Sequence, residues 1–355
     1  MSKKFLAAVF LALFFSSAAV SSAESPSPAE TVNALSLGEV ADVIGRIKTN
    51  SLNRPVLDET ELNRATLQGL LERLAPGVSI SAGRPADQQP SPFRAEVLDG
   101  RIGYLRLGSL AKGNVAEMDA ALLNFNAKLL KSLVLDLRAT PESGAFDLAA
   151  EVANRFCAKG KLLFSVKKNG TKPERIFTSN QDASFSGLLV VIVDSGTAGA
   201  PEVAAAALRL HANAMIVGTT TAGEGVEFSE ETLPGGKMLR IAVAEVVLPD
   251  GSAVFPKGVK PDIAIGMSPD VQQEVLKQGL KKGVAPFVFE TERVQMNEAA
   301  LVAGTNPEVD VMQTAQHLKN SDRAKPPLRD VVLQRAVDVI TSIGLFQGKP
   351  QVPEK

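Results

Sequence analysis

From Ala95 to about Ile265, short runs of β-branched and apolar residues alternate with stretches whose apolar positions recur every three to four residues. The segment "AEVLDGRIGYLRLG" predicts two strands around an Asp99-Gly100 turn, the chemistry of a tight hairpin. "NVAEMDAALLNFNAKLL" reads as a helix, "SLVLDLRA" as a buried strand, and "FDLAAEVANRFCAKG" as a second helix. "LLVVIVDS", "PEVAAAALRLH" and "AMIVGTT" continue the pattern as strand, helix and strand. Such alternation predicts an α/β domain with a largely parallel sheet, in which ligand sites lie at the carboxyl ends of the strands. The loops "RATPESG" and "DSGTAGAP" both fall there.

The flanks have a different texture. A helix is expected from Leu37 to Lys48 and another from near Asp58, where Asp58 and Glu61 have capping-box spacing. The stretch 81–94 contains "SAGRPADQQPSPF", polar and proline-rich without an apolar period, and reads as a linker. Beyond Gly266, "SPDVQQEVLKQGLKKG" and "LRDVVLQRAVDVITSIG" predict helices in a C-terminal region, 267–355, with a flexible end. At the other terminus, Lys3 and Lys4 precede an apolar run and small residues ending at Ala23, the pattern of a secretory signal peptide. A retained anchor is the alternative, although so short a run spans poorly. The resulting division is a signal at 1–23, a flexible leader at 24–36, a helical region at 37–80, the linker, an α/β domain at 95–266 and the C-terminal region.

Of the 355 residues, 45% are hydrophobic and 22% charged, so the chain can bury a sizeable core. Its formal net charge of −1 becomes more negative if the two signal lysines are removed, and nothing suggests a nucleic-acid partner. Export implies a periplasmic or secreted location and an oxidising compartment, yet Cys157 has no second cysteine to pair with. Its helical setting predicts a packed thiol. His211 and His317 lack neighbours at metal-ligand spacing, so neither a metal nor another cofactor is expected. Asp136 and Arg138 at a strand end predict a structural salt bridge, with acid–base work as the alternative.

The ordered series "GRIGYLRLGSL", "KSLVLDLRATPESG", "GLLVVIVDSGTAGAPEVAAAAL", "AMIVGTTTAGEG" and "LPDGSAVFPKGVKPDIAI" resembles the core of the tail-specific proteases, also called C-terminal processing peptidases. The resemblance covers roughly Gly100 to Ile265 and implies a ClpP/crotonase-like α/β core flanked by helical regions. It also implies a serine-type peptidase in which a serine attacks and a lysine, its amine neutral, takes the proton. In that family the turn before the helix reads Gly-Ser-Ala-Ser-Ala-Ser-Glu, with the middle serine as nucleophile. Anchored on Gly196 and Glu202, this chain places Gly199 at that serine. At the family's spacing, Glu224 stands for the lysine and Phe228 for a glutamine that completes the set. All three positions are replaced.

The loop corresponding to the family's second oxyanion contributor, "RATPESGAF", reads one residue longer than usual. The PDZ domain that the family carries to capture substrate carboxyl termini is not found between Leu74 and Ala95. The expectation is therefore a pseudopeptidase that binds a peptide or envelope protein without cleavage, with its oligomeric state open. Gly144, Thr197, Ala198, Gly199 and Ala200 are expected to form a peptide groove, Gly199 tolerating positive φ and leaving backbone N–H groups exposed. The competing expectation is an active hydrolase with a relocated nucleophile, Ser195 with His211.

Overall fold

A strand buried on both faces needs an unbroken apolar run through its middle, and two strands of this chain have one, Leu133–Leu135 and Leu188–Val193. These strands are β4 (Ser132–Asp136) and β7 (Leu188–Val193), the centre of a six-stranded sheet. The computed structural model describes residues 32–50, 58–83, 92–141, 143–168, 175–289 and 328–347; the signal expected at 1–23 lies outside them. The chain divides into two compact units between Leu70 and Leu71.

The first unit contains α1 (Leu37–Asn50) and most of α2 (Glu59–Leu74), neither with a buried residue. Asp58 caps α2 by accepting the Glu61 N–H at 2.7 Å, as its spacing predicts. An unforeseen cap precedes α1, where the Ser36 N–H and hydroxyl each donate to the Glu39 carboxylate at 2.7 Å.

In the second unit, β2 (Arg94–Leu98) and β3 (Ile102–Arg106) form the expected antiparallel hairpin. Asp99 and Gly100 have φ of 48° and 64°, the paired positive values of a I′-type turn. From β3 the sheet runs parallel through β4, β7, β8 (Met215–Gly218) and β11 (Ile263–Ala264). Its two faces follow the period of two: Leu133, Leu135, Val191 and Val193 enter one core, Val134, Val190 and Ile192 the other. The first core is covered by α3 (Lys112–Ala127), α4 (Phe146–Asn154) and α5 (Ala200–Ala212). Gly103 permits the approach of α3, since a Cβ there would lie 2.8 Å from the Phe125 ring.

A second sheet closes that core from its far side, with Phe164 and Val246 packed into it. It is antiparallel, built on β10 (Met238–Val247) with β1 (Val78–Ser81), β5 (Leu162–Lys168), β6 (Arg175–Thr178) and β9 (Val226–Thr232). The sequence pattern did not reveal this sheet. It also corrects two boundaries: Val78 and Ile80 alternate with serines and pair with β10, so the region at 37–80 is not wholly helical and the linker expected at 81–94 starts inside a strand. The α/β domain thus takes its first strand from before Ala95. The other face of the parallel sheet is covered by residues 284–288 and by α7 (Val331–Gln347), which follows α6 (Pro269–Lys282) in the described chain.

Candidate functional site

The chain leaves β7 at Asp194 and turns into α5 through Gly199, whose φ of 68° and ψ of −128° lie where a side chain is strained. Such a sharp strand-to-helix turn is the geometry that presents a nucleophile in hydrolases. Here it presents a hydrogen atom. The φ is as expected for a glycine, but the backbone N–H groups are not exposed. The Gly199 N–H donates to Glu202 Oε1 at 2.8 Å, and the Ala200 N–H donates to the Ser143 carbonyl at 2.7 Å. Pro201 has no N–H, and the Glu202 N–H returns to the Gly199 carbonyl at 3.0 Å. The first turn of α5 is thus closed to an incoming carbonyl or carboxylate. Ser143 closes it, through a parallel bridge to Gly199.

Glu202 is fully buried and holds the turn against the loop that follows β8. Besides the Gly199 N–H, its carboxylate accepts the Gly223 N–H at 2.7 Å, the Glu224 N–H at 2.8 Å and the Thr221 hydroxyl. Thr221 in turn accepts the Val259 N–H at 2.7 Å. Burial pushes the Glu202 carboxyl above its ordinary range, a tendency that these four donors oppose.

Glu224 and Phe228 are brought together by a residue that sequence reasoning did not single out. Arg240, on β10, donates to Glu224 Oε2 at 3.2 Å, and its guanidinium lies 3.6 Å from the Phe228 ring centroid. Cation–π stacking and an ion pair therefore share one side chain. Arg240 is reached only through the β9–β10 ladder, in which it stands opposite Glu230. No local spacing signals it.

Ser195 and His211 are not brought together. Ser195 is exposed before the first turn of α5 and His211 is half-buried in the last, about 20 Å away by the rise of a helix this long. Burial lowers the His211 pKa. Ser195 lines a cavity of about 280 Å³ at the carboxyl ends of the parallel strands, with Asp194, Gln272 and Arg138 among its other walls. Asp194 accepts N–H bonds from Ala139 and Gly196 and the Gln272 amide at 2.6 Å. Of the expected groove residues, Thr197, Ala198, Gly199 and Ala200 are buried and Gly144 is exposed; the Thr197 hydroxyl turns inward, 2.9 Å from the Leu137 carbonyl.

Asp136 and Arg138 form a buried ion cluster. The guanidinium meets Asp136 at 2.6 Å and grips Asp330 with both terminal nitrogens, at 2.9 and 2.7 Å. Tyr104 donates to Asp136 at 2.9 Å. Burial alone would raise the Asp136 carboxyl, but the Arg138 guanidinium beside it prevails and holds it below its ordinary value. Among the described residues no group of three or more His, Cys, Asp or Glu could hold a metal ion. Nor is any described helix long and apolar enough to cross a membrane.

Residues 101–265 match the sequence profile of Peptidase family S41. The chain is 31% identical over 170 residues to the carboxy-terminal processing protease CtpA of Bacillus subtilis (strain 168), covering 48% of this chain and 36% of that protein. It is 28% identical over 239 residues to a probable CtpA-like serine protease of Staphylococcus aureus (strain COL), covering 63% and 46%. The chain thus spans less than half the length of either relative. Among solved structures, it is 26% identical to a photosystem II D1 C-terminal processing protease, with a TM-score of 0.42 over 60% of this chain and 54% of that one.

Proposed function

We propose that this protein, whose residues 101–265 match the profile of Peptidase family S41, is a catalytically degenerate member of the tail-specific or C-terminal processing peptidases that holds a peptide or an envelope protein without cutting it. The observation that carries the reading is the Glu224–Arg240–Phe228 cluster. Acyl transfer by a serine and a lysine needs a hydroxyl to attack and an amine to accept its proton. Position 199 offers no side chain, and position 224 offers a carboxylate bound to a guanidinium. A lysine at 224 would instead face the permanent charge of Arg240, so the two replacements and their partner form one consistent set. The hydrogen bond from Ala200 to Ser143 supports the same reading, because a transition-state oxyanion needs donors that are unoccupied.

Peptide holding rests on the second sheet. Among the described strands β9 pairs only with β10, and such an edge can accept an extended segment by strand addition. The signal pattern at 1–23 supports a periplasmic or secreted location.

One observation favours the rival hydrolase: Ser195 is exposed and lines a cavity. No histidine or lysine lines it with Ser195, and the Asp194 carboxylate is occupied by the Ala139 and Gly196 N–H groups and the Gln272 amide. A fluorophosphonate probe applied to the purified protein should leave it unlabelled. Stoichiometric labelling that disappears in Ser195→Ala would overturn the non-cleaving reading in favour of the relocated nucleophile.

A further inference from the structure

The strand β10 is the spine of the antiparallel sheet, and one of its edges is shared by two strands in tandem. β1 pairs with Met238–Ile241 and β5 with Ala244–Val247, and the Ala242 N–H still donates to the Gly77 carbonyl at 2.7 Å, so the shared edge passes from one strand to the other at Val243. Opposite the same point the β9–β10 register skips a residue between Ala242 and Ala244. A bulge bends and twists a strand locally, and bulges recur beside binding sites. A cavity of about 560 Å³ opens there, lined by Val226, Ala242, Val243, Ala244, Phe255 and, at its rim, Lys167, Lys168 and Glu245.

The size is that of a site for a small ligand or a few side chains. Two alanines where a sheet ordinarily carries bulky β-branched residues leave the space open, and Val226 and Phe255 make the floor apolar. Of the lining charges, Glu245 stands opposite Lys167 in the ladder, which leaves one positive charge in surplus. Val226 lies two positions from both Glu224 and Phe228, so the cavity adjoins the replaced catalytic positions.

We propose that this cavity is the specificity pocket of the peptide-holding function, taking apolar side chains flanked by a carboxylate from an acidic, apolar peptide. The proposal rests on the reading of the protein as a non-cleaving peptide binder and adds where, and which peptides, it holds. The carboxylate meets the lysine rim while the neighbouring side chains displace water from the apolar floor.

The test is fluorescence anisotropy of a labelled octapeptide alternating leucine and glutamate, against the same peptide with lysine for glutamate and against labelled dodecanoate. Wild-type protein should bind the glutamate peptide in preference to the lysine peptide. Lys168→Glu, an exposed change that need not disturb folding, should weaken the glutamate peptide about fivefold. Ala242→Phe, checked for native circular dichroism, should weaken both peptides beyond about tenfold by filling the floor. Equal binding by wild type and both variants would overturn the pocket while leaving a peptide binder. Binding of dodecanoate without either peptide would overturn it in favour of a lipid site. Binding of neither probe would also overturn it, whereas the non-cleaving reading fails separately, through covalent labelling by the fluorophosphonate.

Discussion

Gly199 holds a backbone conformation suited to a strained nucleophile while having nothing to attack with, and Glu202 is the residue that maintains that conformation. Its carboxylate satisfies donors from three separate positions of the backbone and one hydroxyl, all buried or partly so. Removing it leaves those donors without an acceptor, and an unsatisfied buried group costs about 1 to 3 kcal/mol. Glu202→Ala should therefore lower stability by about 3 kcal/mol in urea denaturation, with some relief from water entering the vacated space. A loss below about 0.5 kcal/mol, the range of an ordinary surface change, would show that the turn does not depend on it. At this scale the sequence was partly legible. The positive φ at 199 followed from glycine before a helix, and Glu202 sits where an N3 carboxylate caps. The fate of the Ala200 N–H did not follow, because its acceptor, Ser143, comes from another loop. Arg240 was hidden for the same reason: only strand pairing brings it to Glu224 and Phe228.

At the level of elements, the ion cluster explains how a C-terminal helix is fastened to the parallel sheet. Asp330 does two things at once, gripping Arg138 and accepting the Leu333 N–H at 2.9 Å at the start of α7. Breaking one partner from a buried ion pair is costly, about 3 to 5 kcal/mol, because the remaining charge is left under-compensated. Asp330→Ala should lose stability on that scale in urea denaturation at pH 7. A change near zero would mean that α7 is held by its apolar face alone. The cluster also sets a direction for acid. A carboxyl held below its ordinary value, as Asp136 is, contributes stability that is complete above the unfolded pKa of about 4. That contribution is lost as pH falls through the lowered folded value. Wild-type stability from this group should be level from neutral pH to about 5 and decline only in stronger acid.

For the molecule as a whole, the parallel sheet and its helices were legible because each strand is a local apolar run and each helix a local period. The hairpin at Asp99 and Gly100 was legible for the same local reason. The antiparallel sheet was not, since β10 recruits partners from both ends of the domain and β9 turns from apolar to acidic halfway along. That sheet carries Arg240 and the cavity above it, so part of the candidate site was hidden with it. The central claim, that the scaffold of a serine–lysine peptidase persists without its chemistry, is most directly tested by cleavage of unstructured casein. The account predicts no cleavage by the protein as it stands and none by Gly199→Ser, since general-base assistance worth about 10² to 10⁴ in rate is still missing. It predicts weak activity at most from Gly199→Ser, Glu224→Lys and Phe228→Gln combined, because a lost oxyanion donor costs roughly 2.7 to 4 kcal/mol and the Ala200 N–H remains engaged by Ser143. Strong cleavage by the unmodified protein, in proportion to its concentration and free of contaminating protease, would contradict the account.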